Sequence, residues 1–275
     1  MLYNPSPQSN STKEKIEGQT WGWHSLASWR VSPLVVADQQ QHIDESEQLL
    51  REPGNTPSLY WSSAEPEGLV LGFSQKHNIL NPAVQACDDR TAHIPIYHRR
   101  AGGTAVLVGP HMLSLDVMLP TGHPLILPDI VESYRWFGEL WVATFAQLGI
   151  ATRVVSLKEA HAQRALRKHP ETAAYESLMY RACYGTLSPY EVVVGQRKLV
   201  GLDMIRRKSG TLLQAGVLLH WDTAMLAYLL GHTSEEQHLL RDGLQQRAIG
   251  VDALSDRHIP DAEIREVFER LIVLL

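Results

Sequence analysis

Residues 191–219 read EVVVGQRKLVGLDMIRRKSGTLLQAGVLL, the strongest β signal in the chain. Val192 to Val194 is β-branched, and Gly195-Gln196 fits a two-residue hairpin turn of the Gly-X type. Arg197 to Ile205 returns, Lys208-Ser209-Gly210 turns again, and Thr211 to Leu219 closes a meander. Upstream, Leu113, Leu115, Val117 and Leu119 alternate with Ser114, Asp116 and Met118, which predicts a strand with one face on a core. Gly68 to Phe73, His93 to Tyr97, Thr104 to Val108 and Arg153 to Val155 have strand length and composition, whereas Val35 to Leu50 is a helix with sparse apolar positions. After Pro128, Asp129 and Glu132 form a D-x-x-E cap. Ile130, Tyr134, Phe137, Trp141, Phe145 and Leu148 then recur at helical spacing up to Gly149, a stripe that packing on a sheet explains. Lys158 to Ala174 carries charges of both signs and reads as a loop or an exposed helix. Helices are expected at Thr223–Leu230, Ser234–Ala248 and Asp261–Leu274. Strands first and helices last predict an α+β fold.

With 275 residues, 44% of them hydrophobic, the chain is long enough for one large domain. The expected division is a polar tail over 1–20 and a body over 21–275, with 222–275 helical. Lys+Arg 25 against Asp+Glu 30 gives −5, which excludes a globally basic nucleic-acid binder. The tail has no apolar targeting segment, and no run approaches the ~18 apolar residues of a membrane span, so a cytoplasmic protein without membrane partners is expected. Two cysteines, Cys87 and Cys183, cannot build a disulfide scaffold or a four-cysteine zinc site, and the 13 His show no ligand spacing, so no metal is assigned. Cys87, beside Asp88 and Asp89, has neighbours that disfavour a thiolate. Trp21-Gly22-Trp23-His24 suggests no function.

Three constellations carry candidate chemistry. Arg99-Arg100-Ala101-Gly102-Gly103-Thr104-Ala105-Val106 places two glycines after two guanidinium groups, a loop that fits a carboxylate or phosphate, or a plain turn. Cys183 lies in a turn-rich segment ahead of Lys198; it is a small core residue or, with the ammonium beside it, a thiolate nucleophile. A lysine there also suits an acyl oxyanion, or is a solvated hairpin charge. Gly216, inside an apolar strand, marks a bulge or a close approach.

These residues resemble the lipoate-protein ligase and octanoyltransferase superfamily, which shares its catalytic fold with biotin protein ligase. Four stretches carry the resemblance in the family's order: Leu34–Gln41 with Asp38, Leu71-Gly72-Phe73-Ser74-Gln75, Arg99–Val106, and Glu191–Leu219 around a G-x-K hairpin. The segment Cys183-Tyr184-Gly185-Thr186-Leu187-Ser188-Pro189-Tyr190-Glu191 resembles the cysteine-type octanoyltransferases most. The resemblance implies a mixed central sheet flanked by helices, with a small helical C-terminal portion. It implies Cys183 as the nucleophile that takes an octanoyl group from acyl carrier protein, and Lys198 as the group that orients the acyl carbonyl. Arg99, Arg100, Gly102, Gly103, Thr104 and Ala105 would line the acyl pocket, with Gly201 and Gly216 shaping its floor. The acceptor would be a lysine of a lipoyl domain or of the glycine-cleavage H protein, with no cofactor. The alternatives are an ATP- and Mg2+-dependent lipoate ligase and a non-catalytic acyl-binding homologue. Departures fall at the pocket: Gly201-Leu202-Asp203-Met204 where G-S-A is usual, Gln214-Ala215-Gly216 for Q-H-G, Ala101 and Thr104 flanking the double glycine, and Val108-Gly109 for H-D. Asp203, if it faces the pocket, would repel a phosphate more than a neutral thioester. Arg206, Arg207 and Lys208 are the expected basic patch for acidic partners.

Overall fold

The structure, a computed structural model, describes residues 24–86 and 94–275. The expected tail, Trp21 to Trp23 and Cys87 lie outside the described residues.

The strands are β1 His24–Leu26, β2 Trp29–Val31, β3 Val35–Ala37, β4 Ser58–Ala64, β5 Gly68–Leu71, β6 Ile96–His98, β7 Val106–Val108, β8 Met112–Pro120, β9 Arg153–Val154, β10 Val192–Val194, β11 Arg197–Arg207 and β12 Gly210–Leu218. The helices are α1 Gln39–Arg51, α2 Pro82–Ala86, α3 Arg135–Gln147, α4 Leu157–Leu166, α5 Ala173–Met179, α6 Ala224–Leu230, α7 Ser234–Arg247 and α8 Asp261–Ile272. A large sheet runs β1-β2-β4-β8-β12-β11-β10-β9 with β3 beside β4, and a small sheet runs β6-β5-β7. β4 takes β2 and β3 parallel and β8 antiparallel, so the large sheet is mixed, as expected.

The meander forms as its turns predict. Val194 faces Arg197 and Arg207 faces Gly210, which leaves two residues at each bend. Alternation then divides the sheet. Leu113, Leu115, Val117, Leu119, Leu213, Ala215 and Val217 pack on one side under α3 and α8. There Trp141 and Phe268 lie 4.5 Å apart between ring centroids, and Phe268 meets Trp61 edge-on at 5.5 Å. Such aromatic pairs add ~1 kcal/mol each beyond buried area. The opposite side carries the small sheet, α1 and a second core of α5, α6 and α7 against Leu69, Leu71 and Leu107.

Two local expectations change. Val35–Ala37 is strand, and the helix starts after Asp38, whose carboxylate accepts from the Gln40 and Gln41 N–H groups at 2.9 and 3.1 Å. That N-cap is worth ~1 kcal/mol and explains the aspartate in the motif. Asp129 does cap, but it caps a short 3-10 turn, and α3 begins only at Arg135. Ile130 is therefore 55% exposed instead of joining the stripe, and Tyr134 faces a cavity. Of the two readings open for Lys158 to Ala174, the helix is the one observed over its first half: α4 starts on a Ser156–Glu159 capping box, and α5 begins where the stretch ends.

Candidate functional site

A cavity of about 850 Å³ lies on the side of the large sheet opposite α3 and α8. Its floor follows from strand register. One row across β11, β12, β8 and β4 is Gly201, Gly216, Ser114 and Ser62, all small; the next is Asp203, Gln214, Asp116 and Tyr60. The small row leaves a trough and the second supplies a polar wall. Above the trough, Tyr184 lays its ring across β11 and β12, and its hydroxyl donates to the Gly216 carbonyl at 2.6 Å. A Cβ at Gly216 would stand 2.9 Å from that hydroxyl, so glycine is what lets the ring cross. Burial pushes the Tyr184 phenol well up, which keeps it a neutral donor.

Cys183 opens a single 3-10 turn, Cys183–Gly185, and is half-buried on the cavity wall. Its N–H donates to Ala105 O at 2.7 Å, and Ala105 N–H donates to Arg181 O at 3.2 Å. The arginine–glycine loop and the cysteine segment are thus zipped together by backbone. Gln75 joins them, accepting from Gly72 N–H at 3.1 Å and donating to Arg181 O at 3.1 Å. From the helical side, Arg247 grips Glu176 with two bonds and donates to Gly185 O at 2.8 Å.

Lys198 is not a solvated hairpin charge: it is 1% exposed. Its Nζ lies 2.8 Å from each carboxylate oxygen of Glu191 and donates to Cys183 O at 2.9 Å. Glu191 also accepts from Ser188 N–H at 2.6 Å and is 2% exposed. Burial raises the Glu191 pKa and the Lys198 ammonium pulls it back. The pair keeps a cation inside the fold, which an unpaired lysine would not sustain. Cys183 and Lys198 therefore share one cavity wall.

The arginine–glycine loop divides. Arg99, Arg100, Gly103 and Thr104 reach the cavity wall, as do Gly201 and Gly216 on its floor. Ala105 is fully buried in the core behind and contributes backbone only; Gly102 is exposed and forms no part of the wall. Gly103 has a φ of +82°, and its carbonyl comes so close to Gly72 that a Cβ there would collide at 2.0 Å. Both guanidinium groups face acids. Arg99 lies 3.5 Å from Asp203, which does line the cavity, and Arg100 lies 2.5 Å from Glu47 of α1. Burial raises the Asp203 pKa and Arg99 opposes the shift.

Sequence reading missed the far wall. Asp116 accepts from Ser46 of α1 and from Gln214 Nε2 at 2.8 Å, and nearby His42 pairs with Tyr60 at 2.9 Å. The signal was there: Asp116 sits on the polar side of an alternating strand. Burial lifts its pKa from 3.8 to about 6, against the pull of those two bonds. A folded-state pKa above the unfolded one stabilises below pH ~4, and that stabilisation is lost as pH rises through ~6. Asp116→Asn should therefore raise the melting temperature at pH 8 and flatten its pH dependence between about 4 and 6. Thermal scans across pH check this; an unchanged slope contradicts it. Among the described residues, no group of three or more His, Cys, Asp or Glu is placed to hold a metal ion, and no helix is long and apolar enough to cross a membrane.

Comparison with known proteins adds to this geometry. A family model described as the lipoyl protein ligase A/B catalytic domain matches residues 38–273. The chain is 26% identical over 250 residues to octanoyltransferase LipM of Brevibacillus brevis, covering 90% of this chain and 84% of that protein. It is 28% identical over 242 residues to octanoyltransferase LipM of Lysinibacillus sphaericus, covering 86% and 80%. Among solved structures it resembles a chain of an archaeal lipoylation system from Thermoplasma acidophilum, a bi-partite lipoate protein ligase and its E2 lipoyl domain. The TM-score there is 0.67 at 18% identity, over 91% of this chain and 84% of that one. A lipoate-protein ligase A bound with ATP gives 0.62 at 18%, over 88% and 82%. Both structural likenesses establish the fold.

Proposed function

The chain belongs to the lipoyl protein ligase A/B catalytic domain family and is an enzyme of the octanoyltransferase and lipoate ligase kind; from that premise we propose that it moves an octanoyl group through a thioester on Cys183. The donor is octanoyl-acyl carrier protein. The acceptor is a lysine of a lipoyl domain or of the glycine-cleavage H protein. One observation carries the reading: the half-buried Cys183 stands on the cavity wall, with the buried Lys198 ammonium bonded to its own carbonyl.

In the first half-reaction the Cys183 thiolate attacks the acyl carbon of the donor thioester. The new C–S bond forms, the carrier's C–S bond breaks, and the departing thiolate takes a proton. In the second, the neutral amine of the acceptor lysine attacks the Cys183 thioester. An amide forms, the Cys183 thiolate leaves, and the amine nitrogen gives up its extra proton. Each attack builds negative charge on the acyl oxygen. Lys198 meets that charge by turning one N–H from Glu191, which holds it through two oxygens, while the bond to Cys183 O keeps the turn in place. The acyl chain takes the part of the trough beyond the Tyr184 ring, over Ser114 and Ser62 and against Val70, Val106 and Val108.

The ATP-dependent alternative asks the arginine loop to hold phosphates. Here Asp203 and Glu47 already answer Arg99 and Arg100, and their carboxylates would repel a nucleotide. A neutral thioester carries no such penalty, so neither ATP nor Mg2+ enters the proposed reaction. The test is transfer from octanoyl-acyl carrier protein to a lipoyl domain without ATP. Octanoylated lipoyl domain is the expected product. Product that forms only from free octanoate or lipoate with ATP and Mg2+ would overturn the reading in favour of a ligase. Acyl binding without product would leave a non-catalytic homologue.

A further inference from the structure

The cavity that holds Cys183 is edged by α4 and the residue after it: His161, Arg164 and Arg167 reach the cavity wall. Between Leu157 and His169 the chain has four Lys or Arg (Lys158, Arg164, Arg167, Lys168) and one acid, Glu159, in a protein whose net charge is −5. Glu159 is committed elsewhere: it closes the Ser156 cap and pairs with Arg153 at 2.8 Å. Glu176, one helix on, is held by Arg247, and exposed Glu171 has no cationic partner among the described residues. Lys158, Arg164 and Lys168 are exposed and have no carboxylate partner among the described residues. His161 and Arg164 fall at i and i+3 on one face of α4, and Lys168 follows in the turn after Leu166. The Arg167 guanidinium carbon lies 3.4 Å from the centre of the Tyr180 ring, and Leu157, Leu166 and Tyr180 are exposed. A cationic face with apolar residues set into it, at the lip of the reactive thiol's cavity, is complementary to an acidic partner that must reach that thiol.

The patch expected from sequence, Arg206-Arg207-Lys208, is placed differently. Arg206 donates to Pro128 O at 3.3 Å and to Ser133 Oγ at 2.7 Å. Arg207 also reaches the cavity wall, but at its far end: it stands nine residues along β11 from Lys198, about 30 Å away at the rise of a strand.

We propose that α4 and the turn after it are the docking surface for the acidic carrier protein that delivers the acyl group, seated by Lys158, Arg164 and Lys168. This rests on the thioester reading above. The experiment compares two donors in single-turnover acylation of Cys183: octanoyl-acyl carrier protein and octanoyl-N-acetylcysteamine, which has no carrier to dock. For Lys158→Glu/Lys168→Glu, both exposed and outside the cavity lining, the carrier concentration giving half-maximal rate should rise about tenfold or more, with its salt dependence largely lost. The rate from the small donor should stay within about twofold, and subsequent transfer to a lipoyl domain should be unchanged. The control Arg206→Glu/Lys208→Glu should leave the carrier dependence as it is. A rise in the control variant instead would place the carrier at the hairpin tip and overturn the proposal. Equal loss with both donors would make α4 a prop of the site. A defect only in transfer to the lipoyl domain would assign the surface to the acceptor. Failure of wild-type protein to take octanoyl from either donor would remove the thioester reading itself, and this surface with it.

Discussion

Cys183→Ala should abolish octanoyl transfer, lowering kcat/KM by at least about 10³-fold, the scale on which loss of an enzyme nucleophile is felt. The fold should survive the change. What holds this turn is backbone: Cys183 N–H donates to Ala105 O, and Cys183 O accepts from Lys198. Alanine keeps both. The thiol is half-buried and faces the cavity, so removing one sulfur leaves no closed void. Steady-state transfer and thermal denaturation measured on the same preparation separate the two effects. Transfer at an undiminished rate by Cys183→Ala would mean that the acyl group never rests on this residue.

Glu191→Gln should cost more in stability than any other single change near the site, about 3–5 kcal/mol, or roughly 10 °C in melting temperature. Lys198 is 1% exposed and Glu191 supplies its counter-charge from 2.8 Å. The amide keeps the shape and removes the charge, leaving an ammonium in an interior that disfavours it. Lys198→Met should cost less, because burial already raises the Glu191 pKa and a lone carboxyl there can take up a proton. The double variant Glu191→Gln/Lys198→Met should recover much of the stability of Glu191→Gln and none of the activity. That split is the signature of a pair kept for chemistry at a cost in folding. A Glu191→Gln protein that melts with the wild type would show that the pair carries no such load.

The meander was legible because its turns and alternation are local: Gly195-Gln196 and Lys208-Ser209 bend where their residues predict. So were Cys183 and Lys198, which the motif order brought into one segment. The partners were not, because they are made by tertiary contact. Lys198 reads as a hairpin surface charge until β11 is buried in the middle of the chain's largest sheet, between β10 and β12. Glu191 lies seven residues before it, and only the hairpin turns them face to face. Asp116 and Gln214 meet across β8 and β12 from positions 98 residues apart. Ile130 failed for a different reason: Asp129 satisfied the cap rule, and the short 3-10 turn it starts changes the phase of everything before Arg135. The tyrosine that roofs the floor, Tyr184, reads as an ordinary motif aromatic. Only the close approach at Gly216 reveals why that strand position has no side chain.

The central claim is that the acyl group passes through Cys183. The most direct measurement is the intact mass of the wild-type protein after brief mixing with octanoyl-acyl carrier protein in the absence of any acceptor. The account predicts an added octanoyl unit that maps to Cys183, is removed by hydroxylamine, is absent in Cys183→Ala, and disappears as octanoylated lipoyl domain forms when acceptor is added. Turnover with no adduct at any time, or an adduct that remains in Cys183→Ala, would contradict it.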